Sequence, residues 1–407
     1  MTSSSHLAPK FQILLLENIH AVARDLFLQQ GYEVETLKGA LAPAELITKL
    51  KSFDAVGVRS KTDVPGQVFD ESPRLLTLGA FCVGTNHLAV DAAKRNGVPV
   101  FNAPFSNTRS VAEMTLSNLI ALSRQVGTRN VEMHQGIWNK KSDGCFEVRG
   151  KTLGIVGYGN IGTQISAMAE AIGMRTVFYD VLSKLPLGNA KPMPSLESLL
   201  QESDFVTLHV PETQFTVGMI GTDELRAMKK GAYLINASRG TVIDIPALAL
   251  ALKEKHLSGA AIDVFPSEPS NNTQPFDSPL KGLHNVILTP HIGGATEEAQ
   301  SNIGREVASN IIRFLENGST EQTVNFPVIS SSNTQGHRLL NVHQNVPGVL
   351  KNINEIVAES GVNIESQYLS TEPEIGYLVM GFDKALPESA LKRIEALKFS
   401  IRTRILG

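Results

Sequence analysis

Between residues 230 and 294 three apolar runs end in side chains that can bind anions or move protons. KGAYLI leads through Asn-Ala-Ser to Arg239; AAID ends at Asp263, with Glu268 following in VFPSEP; VILTPH ends at His291, just before Gly293 and Gly294. Singly, an arginine or histidine in a loop is more often solvated or structural. Together, at the carboxyl edge of one parallel sheet, they lie where open α/β sheets bind ligands. Imidazole has the pKa of a general base, a neighbouring carboxylate would orient it and raise that pKa, and a guanidinium can grip a carboxylate with two bonds. Arg239 is therefore expected to bind the carboxylate of a substrate.

Upstream, Gly157-Tyr158-Gly159-Asn160-Ile161-Gly162 follows the strand-like LGIV and opens a helical run, Gln164–Ala171. In that context the glycines Gly157, Gly159 and Gly162 permit a tight turn, close backbone approach to a pyrophosphate, and close helix–strand packing. The next apolar run, TVFYD, ends in Asp180. A carboxylate there accepts bonds from ribose hydroxyls and repels the 2′-phosphate of NADP, so NAD is the expected cofactor. NAD chemistry on an alcohol needs a base for the hydroxyl proton, which suits His291.

These residues need sheets to position them, and the chain supplies two series. FQILLLE, YEVETL, AVGVRS, LLTLGAF and VPVFNAP read as strands, with helix-like spacing in His20–Gln30 and Pro43–Leu50. GIVGYG, TVFYD, FVTLHV, AYLINAS, GAAIDVF and NVILTPH form the second series. Between them Ser110-Val111-Ala112-Glu113 has the form of a capping box opening a long helix, and another helix is expected from about Thr296 to Asn317. Alternation of this kind predicts parallel sheets covered on both faces. After the polar piece ISSSNTQG, about 70 residues read strand, helix, strand, strand, helix, strand, the ferredoxin-like order. The expected fold class is α/β: a doubly wound Rossmann NAD-binding domain and a flavodoxin-like substrate domain, with a C-terminal ferredoxin-like α+β domain.

Composition narrows the function classes. A chain of 407 residues implies two or three domains. Net charge is −3, which argues against nucleic acid or a membrane surface as main partner. No apolar run is long enough to span a bilayer, and MTSSSHLAPK lacks the apolar core of a signal peptide. The two cysteines, Cys82 and Cys145, suit a reducing compartment and read as small core residues; the cytoplasm is expected, and no metal site.

GYGNIG, INASRGTVID, AAIDVFPSEP and LTPHIGG together resemble the D-isomer-specific 2-hydroxyacid dehydrogenase family, and FNAPFSNTRSVAE and GIWNKK extend the likeness into the first half. The resemblance implies that Arg239, Glu268 and His291 are the catalytic set. It places cofactor contacts at Asn160, Ile161, Asp180, Ala237, Ser238, Arg239, Asp263, His291, Ile292, Gly293 and Gly294. It also implies a discontinuous substrate domain: 1–106 and 294–329, around an NAD-binding domain at 107–293, with a linker at 330–336 and an ACT regulatory domain at 337–407. The likeness is closest to members that oxidise 3-phosphoglycerate in L-serine synthesis, with reduction of 2-oxoglutarate as a side reaction.

A phosphate needs cations and amides around it. Lys38, Arg59, Ser60, Lys61, Asn107 and Lys140 are the candidates, with Lys140 supplied by a neighbouring subunit. Trp138, the single tryptophan, suits either a subunit contact or the core. In the resembling enzymes His343, Asn345 and Asn363 bind L-serine across an interface between two ACT domains, which implies a homo-oligomer, expected to be a tetramer. Val346 stands where an arginine is common, and Gln335-Gly336 where paired glycines often form a hinge; both bear on the strength of inhibition. Two other readings compete: a different D-2-hydroxyacid as substrate, and an NAD-sensing corepressor-like protein.

Overall fold

The computed structural model describes residues 11–269, 273–330 and 336–406. They include three sheets. Strands β1 (Gln12–Leu15), β2 (Glu33–Thr36), β3 (Ala55–Val58), β4 (Thr77–Ala80) and β5 (Val100–Phe101) form a parallel sheet in the order β2-β1-β3-β4-β5. Strands β3 and β4 are buried along their whole length, so they are apolar on both faces rather than alternating.

The second sheet holds β6 (Thr152–Val156), β7 (Arg175–Tyr179), β8 (Lys191–Pro192), β9 (Phe205–Leu208), β10 (Tyr233–Asn236), β11 (Gly259–Ile262) and β12 (Val286–Leu288). Their order is β12-β11-β10-β9-β6-β7-β8, parallel throughout. Chain direction across the sheet reverses between β6 and β9, which makes the loop after β6 a topological switch point. The edge strand β8 is two exposed residues ending in proline and has no apolar pattern to announce it.

Strands β13 (His337–Gln344), β14 (Ile364–Thr371), β15 (Ile375–Phe382) and β16 (Ser400–Leu406) make an antiparallel sheet in the order β14-β15-β13-β16. Its side chains alternate between two cores, as the strand period requires. Leu339, Leu378 and Met380 pack with Ile353, Val357 and Ile394 of the helices Val349–Glu359 and Glu388–Glu395. Leu340, Val342, Tyr377 and Val379 instead join Ile311, Phe314 and Phe326 in the core beside the first sheet. Polar bonds fasten this second face: the Tyr377 hydroxyl donates to Gly318 O (2.7 Å), Arg338 to Asn317 O (3.1 Å), and Lys94 pairs with Glu372 (2.9 Å).

By contacts the chain forms two compact units, one from residues up to Ser106 together with those from Gln300 onward, the other Asn107–Ala299. The C-terminal sheet, which composition sets apart beyond a linker, is thus part of the first unit. Residues 331–335 of that linker, including Gln335, and the N-terminal decapeptide MTSSSHLAPK lie outside the described residues. Among the described residues no helix is long and apolar enough to cross a membrane.

Two expectations are corrected. The helix at Ser110 begins earlier, Thr108–Ser123, with Asn107 at its N-cap and no side-chain capping bond. The hydroxyl of Ser110 pairs with that of Thr296 (2.7 Å) and Glu113 takes Arg109 (2.6 Å), so neither residue of the expected box is available for capping. Trp138 is 79 % exposed, which removes the core reading.

Candidate active site

Every side chain of the chemical set is carried on a loop at the carboxyl tip of a strand. After β10, Asn236 is fully buried and organises the turn: its Oδ1 accepts from Ser238 N (3.0 Å) and Ser238 Oγ (2.8 Å), and its Nδ2 donates to Arg239 O (2.9 Å). A Cβ on Gly240 would lie 1.9 Å from the carbonyl carbon of Phe265. Only glycine permits that approach, and it brings the Arg239 loop against the loop after β11 that carries Glu268.

His291 follows β12. Its Nδ1 donates to Glu268 Oε2 at 2.8 Å, and Glu268 Oε1 accepts from Phe265 N at 3.1 Å. The bond to Glu268 raises the His291 pKa against the opposing effect of burial, with Asp263 adding to the rise and Arg239 opposing it. Burial pushes the Glu268 carboxyl up, but the bond and charge of His291, the Phe265 amide and the Arg239 charge together leave it lowered. Those mutual influences mark Arg239, Glu268 and His291 as one electrostatic group. With Nδ1 committed to Glu268, Nε2 is the ring nitrogen free to exchange a proton with a ligand.

His291 has φ 53°, a left-handed conformation rare outside glycine and asparagine. Asp263 holds it there. Buried to 2 % exposure, this carboxylate accepts from Thr289 Oγ1 (2.6 Å) and Ile292 N (2.9 Å) on one oxygen and from Gly293 N (2.8 Å) on the other. His291 N also donates to Asp263 O (2.8 Å). Asp263, expected as a cofactor contact, thus has both oxygens engaged by the loop that bears the histidine. A Cβ on Gly294 would stand 2.6 Å from Asn107 Nδ2, so Asn107 sits against this same loop.

The residues after β6 fit a dinucleotide. Gly157 has φ 91°, and a Cβ there would stand 2.4 Å from His209 O; one on Gly162 would stand 2.2 Å from Gly157 O. Around Gly159, by contrast, nothing lies within 4 Å of a Cβ position, which leaves open space beside the N-terminus of helix Asn160–Ala171. Tyr158 turns inward and stacks on Phe178 (3.8 Å between centroids). Asp180 accepts from Tyr158 N (2.8 Å) and Leu182 N (2.9 Å), which uses two of about four acceptor positions and leaves others for ribose hydroxyls. The loop amides and Gly157, Gly159, Asn160, Ile161, Gly162 and Asp180 would hold NAD.

In the first unit Lys38 follows β2 and Arg59-Ser60-Lys61 follows β3, on either side of β1. Lys38, Ser60 and Lys61 are exposed and Arg59 half-buried. What gathers these two loops is Glu17, a residue the sequence pattern does not single out. Lys140 is exposed in the other unit, on the segment beyond helix Val126–His134.

The three effector positions are not brought together within one chain. His343, which the order of residues at the end of the first C-terminal strand would place at the strand-to-helix turn, lies inside β13, is 2 % exposed, and bonds to Asn341 Oδ1 (3.0 Å) with its ring over Gly376. Asn345 is exposed beside it and donates to Glu372 O (2.8 Å). Asn363, also exposed, precedes β14 at the opposite end of the sheet: His343 pairs with Gly376, whereas Ile364 and His337 both pair with Phe382.

Residues 116–293 match the family described as D-isomer specific 2-hydroxyacid dehydrogenase, NAD binding domain, and residues 339–402 match the AHAS small subunit-like ACT domain. The chain is 50 % identical over 398 residues to a protein of Dictyostelium discoideum named D-3-phosphoglycerate dehydrogenase, covering 98 % of this chain and 97 % of that one. It is also 50 % identical over 400 residues to the D-3-phosphoglycerate dehydrogenase of Escherichia coli (strain K12), covering 98 % of each. Among solved structures, D-lactate dehydrogenase from Aquifex aeolicus, complexed with NAD and lactic acid, superposes with a TM-score of 0.68 at 27 % identity, over 77 % of this chain and 99 % of that one. Half of the residues are shared with two relatives over almost their entire lengths, and the NAD-binding match takes in both the glycine loop and His291. The chain belongs to the D-isomer-specific 2-hydroxyacid dehydrogenase family, within its D-3-phosphoglycerate dehydrogenases.

Proposed function

We propose that this chain oxidises 3-phospho-D-glycerate to 3-phosphohydroxypyruvate with NAD, the first step of L-serine synthesis, using Arg239, His291 and Glu268. The observation that carries the residue assignment is the 2.8 Å bond from His291 Nδ1 to Glu268 Oε2 on a loop that Asp263 holds in a left-handed turn. Arg239 binds the substrate carboxylate and steadies the reacting oxygen. His291 takes the hydroxyl proton on Nε2 as the C–H bond breaks, and Glu268 stabilises the imidazolium so formed. NAD, when bound, accepts the hydride that leaves with that C–H bond. Lys38, Arg59, Ser60 and Lys61 bind the phosphate, with Asn107 and a neighbouring subunit's counterpart of Lys140 as further partners. Reduction of 2-oxoglutarate is the expected side reaction.

The C-terminal sheet is the receptor for L-serine. Asn345 and Asn363 are both exposed and lie about 30 Å apart along the strands, because Asn345 bonds to Glu374 and Asn363 to Asp383, nine residues further along β15 and its flanks. A single small amino acid can therefore meet both only where two copies of the sheet adjoin, which supports a closed homo-oligomer, a tetramer in this reading. Buried His343 would act by fixing Asn341 and the end of β13. A cytoplasmic location accompanies this biosynthetic role. The deciding measurement is NADH production from NAD and 3-phosphoglycerate, with and without millimolar L-serine. Turnover that serine suppresses is expected; absent turnover refutes the catalytic reading, and turnover indifferent to serine refutes the effector reading.

A further inference from the structure

Glu17 is a buried acid at the edge of a basic cluster. It follows β1 with φ 58°, and Asn18 after it has φ 50°, two consecutive left-handed residues neither of which is glycine. Such backbone persists only where its surroundings hold it. The bonds that do so reach both neighbouring loops. Glu17 N donates to Gly39 O (3.2 Å) and Asn18 N to Leu37 O (3.4 Å), bracketing Lys38. The side chain, 7 % exposed, turns the other way: Oε1 accepts from Arg59 N (3.0 Å), Thr62 N (3.0 Å) and Thr62 Oγ1 (2.6 Å), and Oε2 accepts from Lys61 N (3.0 Å).

We propose that Glu17 is a positioning residue for the phosphate of the substrate: its backbone and carboxylate lock the Lys38 and Arg59–Lys61 loops into one anion receptor. The proposal rests on the assignment of those cations to the phosphate. Four bonds converge on one carboxylate, a number that a merely solvated acid has no reason to collect. The direction of the bonds matters as well. With the amides of Arg59 and Lys61 turned inward to Glu17, the loop is fixed at both residues; Lys61 stays exposed, and the half-buried Arg59 guanidinium also donates to Glu17 O (3.5 Å).

The test uses the full-length enzyme. Glu17→Gln keeps a carbonyl oxygen for Arg59 and Thr62 but sets an NH2 group against the amide of Lys61, donor facing donor. KM for 3-phosphoglycerate should rise about tenfold with kcat changed by less than about threefold, the pattern of lost ground-state binding. NADH affinity, read by fluorescence titration, should stay at the wild-type value, and amide hydrogen exchange at Lys61 should accelerate. In a Lys61→Ala background the same change should cost less than about threefold, because residues acting through one contact are not additive. An unchanged KM despite faster exchange would overturn the proposal, as would full additivity with Lys61→Ala. Loss of NADH binding together with turnover would assign Glu17 to general folding and also overturn it. A wild-type enzyme inert toward 3-phosphoglycerate would refute the functional reading instead; exchange then decides the bracing role, with unchanged rates at Lys61 and Thr62 overturning it.

Discussion

The tips of the two parallel sheets use the same device for different ends. Beside the second sheet Asp263, 2 % exposed, gathers the Thr289 hydroxyl and the amides of Ile292 and Gly293. Beside the first, Glu17, 7 % exposed, gathers the Thr62 hydroxyl and the amides of Arg59, Lys61 and Thr62. Each is an acid just beyond a strand that satisfies the loop of an adjacent strand, and each stands at a left-handed turn. In the first case the strained residue is the histidine being presented; in the second it is the acid itself. The loop that Asp263 braces carries a group whose protonation changes, and Asp263 adds to the rise of its pKa. The loop braced by Glu17 carries permanent cations. On the assignments proposed above, one brace would serve a chemical step and the other affinity.

That division can be broken experimentally. The largest effect belongs to His291→Ala, expected to lower kcat by about a thousandfold while NADH still binds, as measured by single-turnover kinetics and fluorescence titration. Lys61→Ala should instead raise KM for 3-phosphoglycerate about tenfold with kcat nearly kept. If both variants altered the same kinetic constant, the contrast between the two sheets would be lost. Asp263→Asn comes next. Its amide must oppose either the Gly293 amide or the Ile292–Thr289 pair, and the displaced histidine should cut kcat between about tenfold and a hundredfold.

Glu268→Gln sharpens the account of the base. The hydrogen bond with Glu268 is the largest cause of the raised His291 pKa, so its removal lowers that pKa. Oxidation requires the neutral ring, and activity rises with pH as the ring loses its proton. The rising limb of the kcat profile should therefore move to lower pH in the variant, and a limb that stays in place would refute the role given to Glu268. Smallest are the two threonines: Thr62→Val and Thr289→Val each delete one 2.6 Å bond to a brace. Each should cost about threefold, the first in KM and the second in kcat, by steady-state kinetics.

Much of the second sheet was readable from the chain. Gly157 to Asp180 spans one helix and the strand after it, and the lengths of those elements leave little freedom in where the acid falls. Arg239 and Glu268 lie a few residues beyond apolar runs and His291 closes one, and parallel strands put their carboxyl ends on one edge. Asn236 could have been found by the same logic, as a polar residue ending a fully buried strand. The capping box at Ser110 misled because its two residues had other partners, Thr296 far along the chain and Arg109 one turn away. The C-terminal sheet read as an appendix because a strand's period of two shows that both faces alternate but not what covers the second one. Here Leu340, Val342 and Tyr377 are covered by Ile311, Phe314 and Phe326.

By itself, then, the sequence determined the strand and helix order, the glycine loop, the acid beyond it and the chemical types at the strand tips. All of these depend on residues close in the chain or on a repeating period. The tertiary structure alone decided which backbone each carboxylate holds. Glu17 meets Arg59, Lys61 and Thr62 across more than forty positions, and Asp263 meets Ile292 and Gly293 across about thirty. Nothing local names the partners of these acids, because those partners are mostly backbone amides. An amide carries no residue type, so a bond to it leaves no trace in the sequence until the chain has folded.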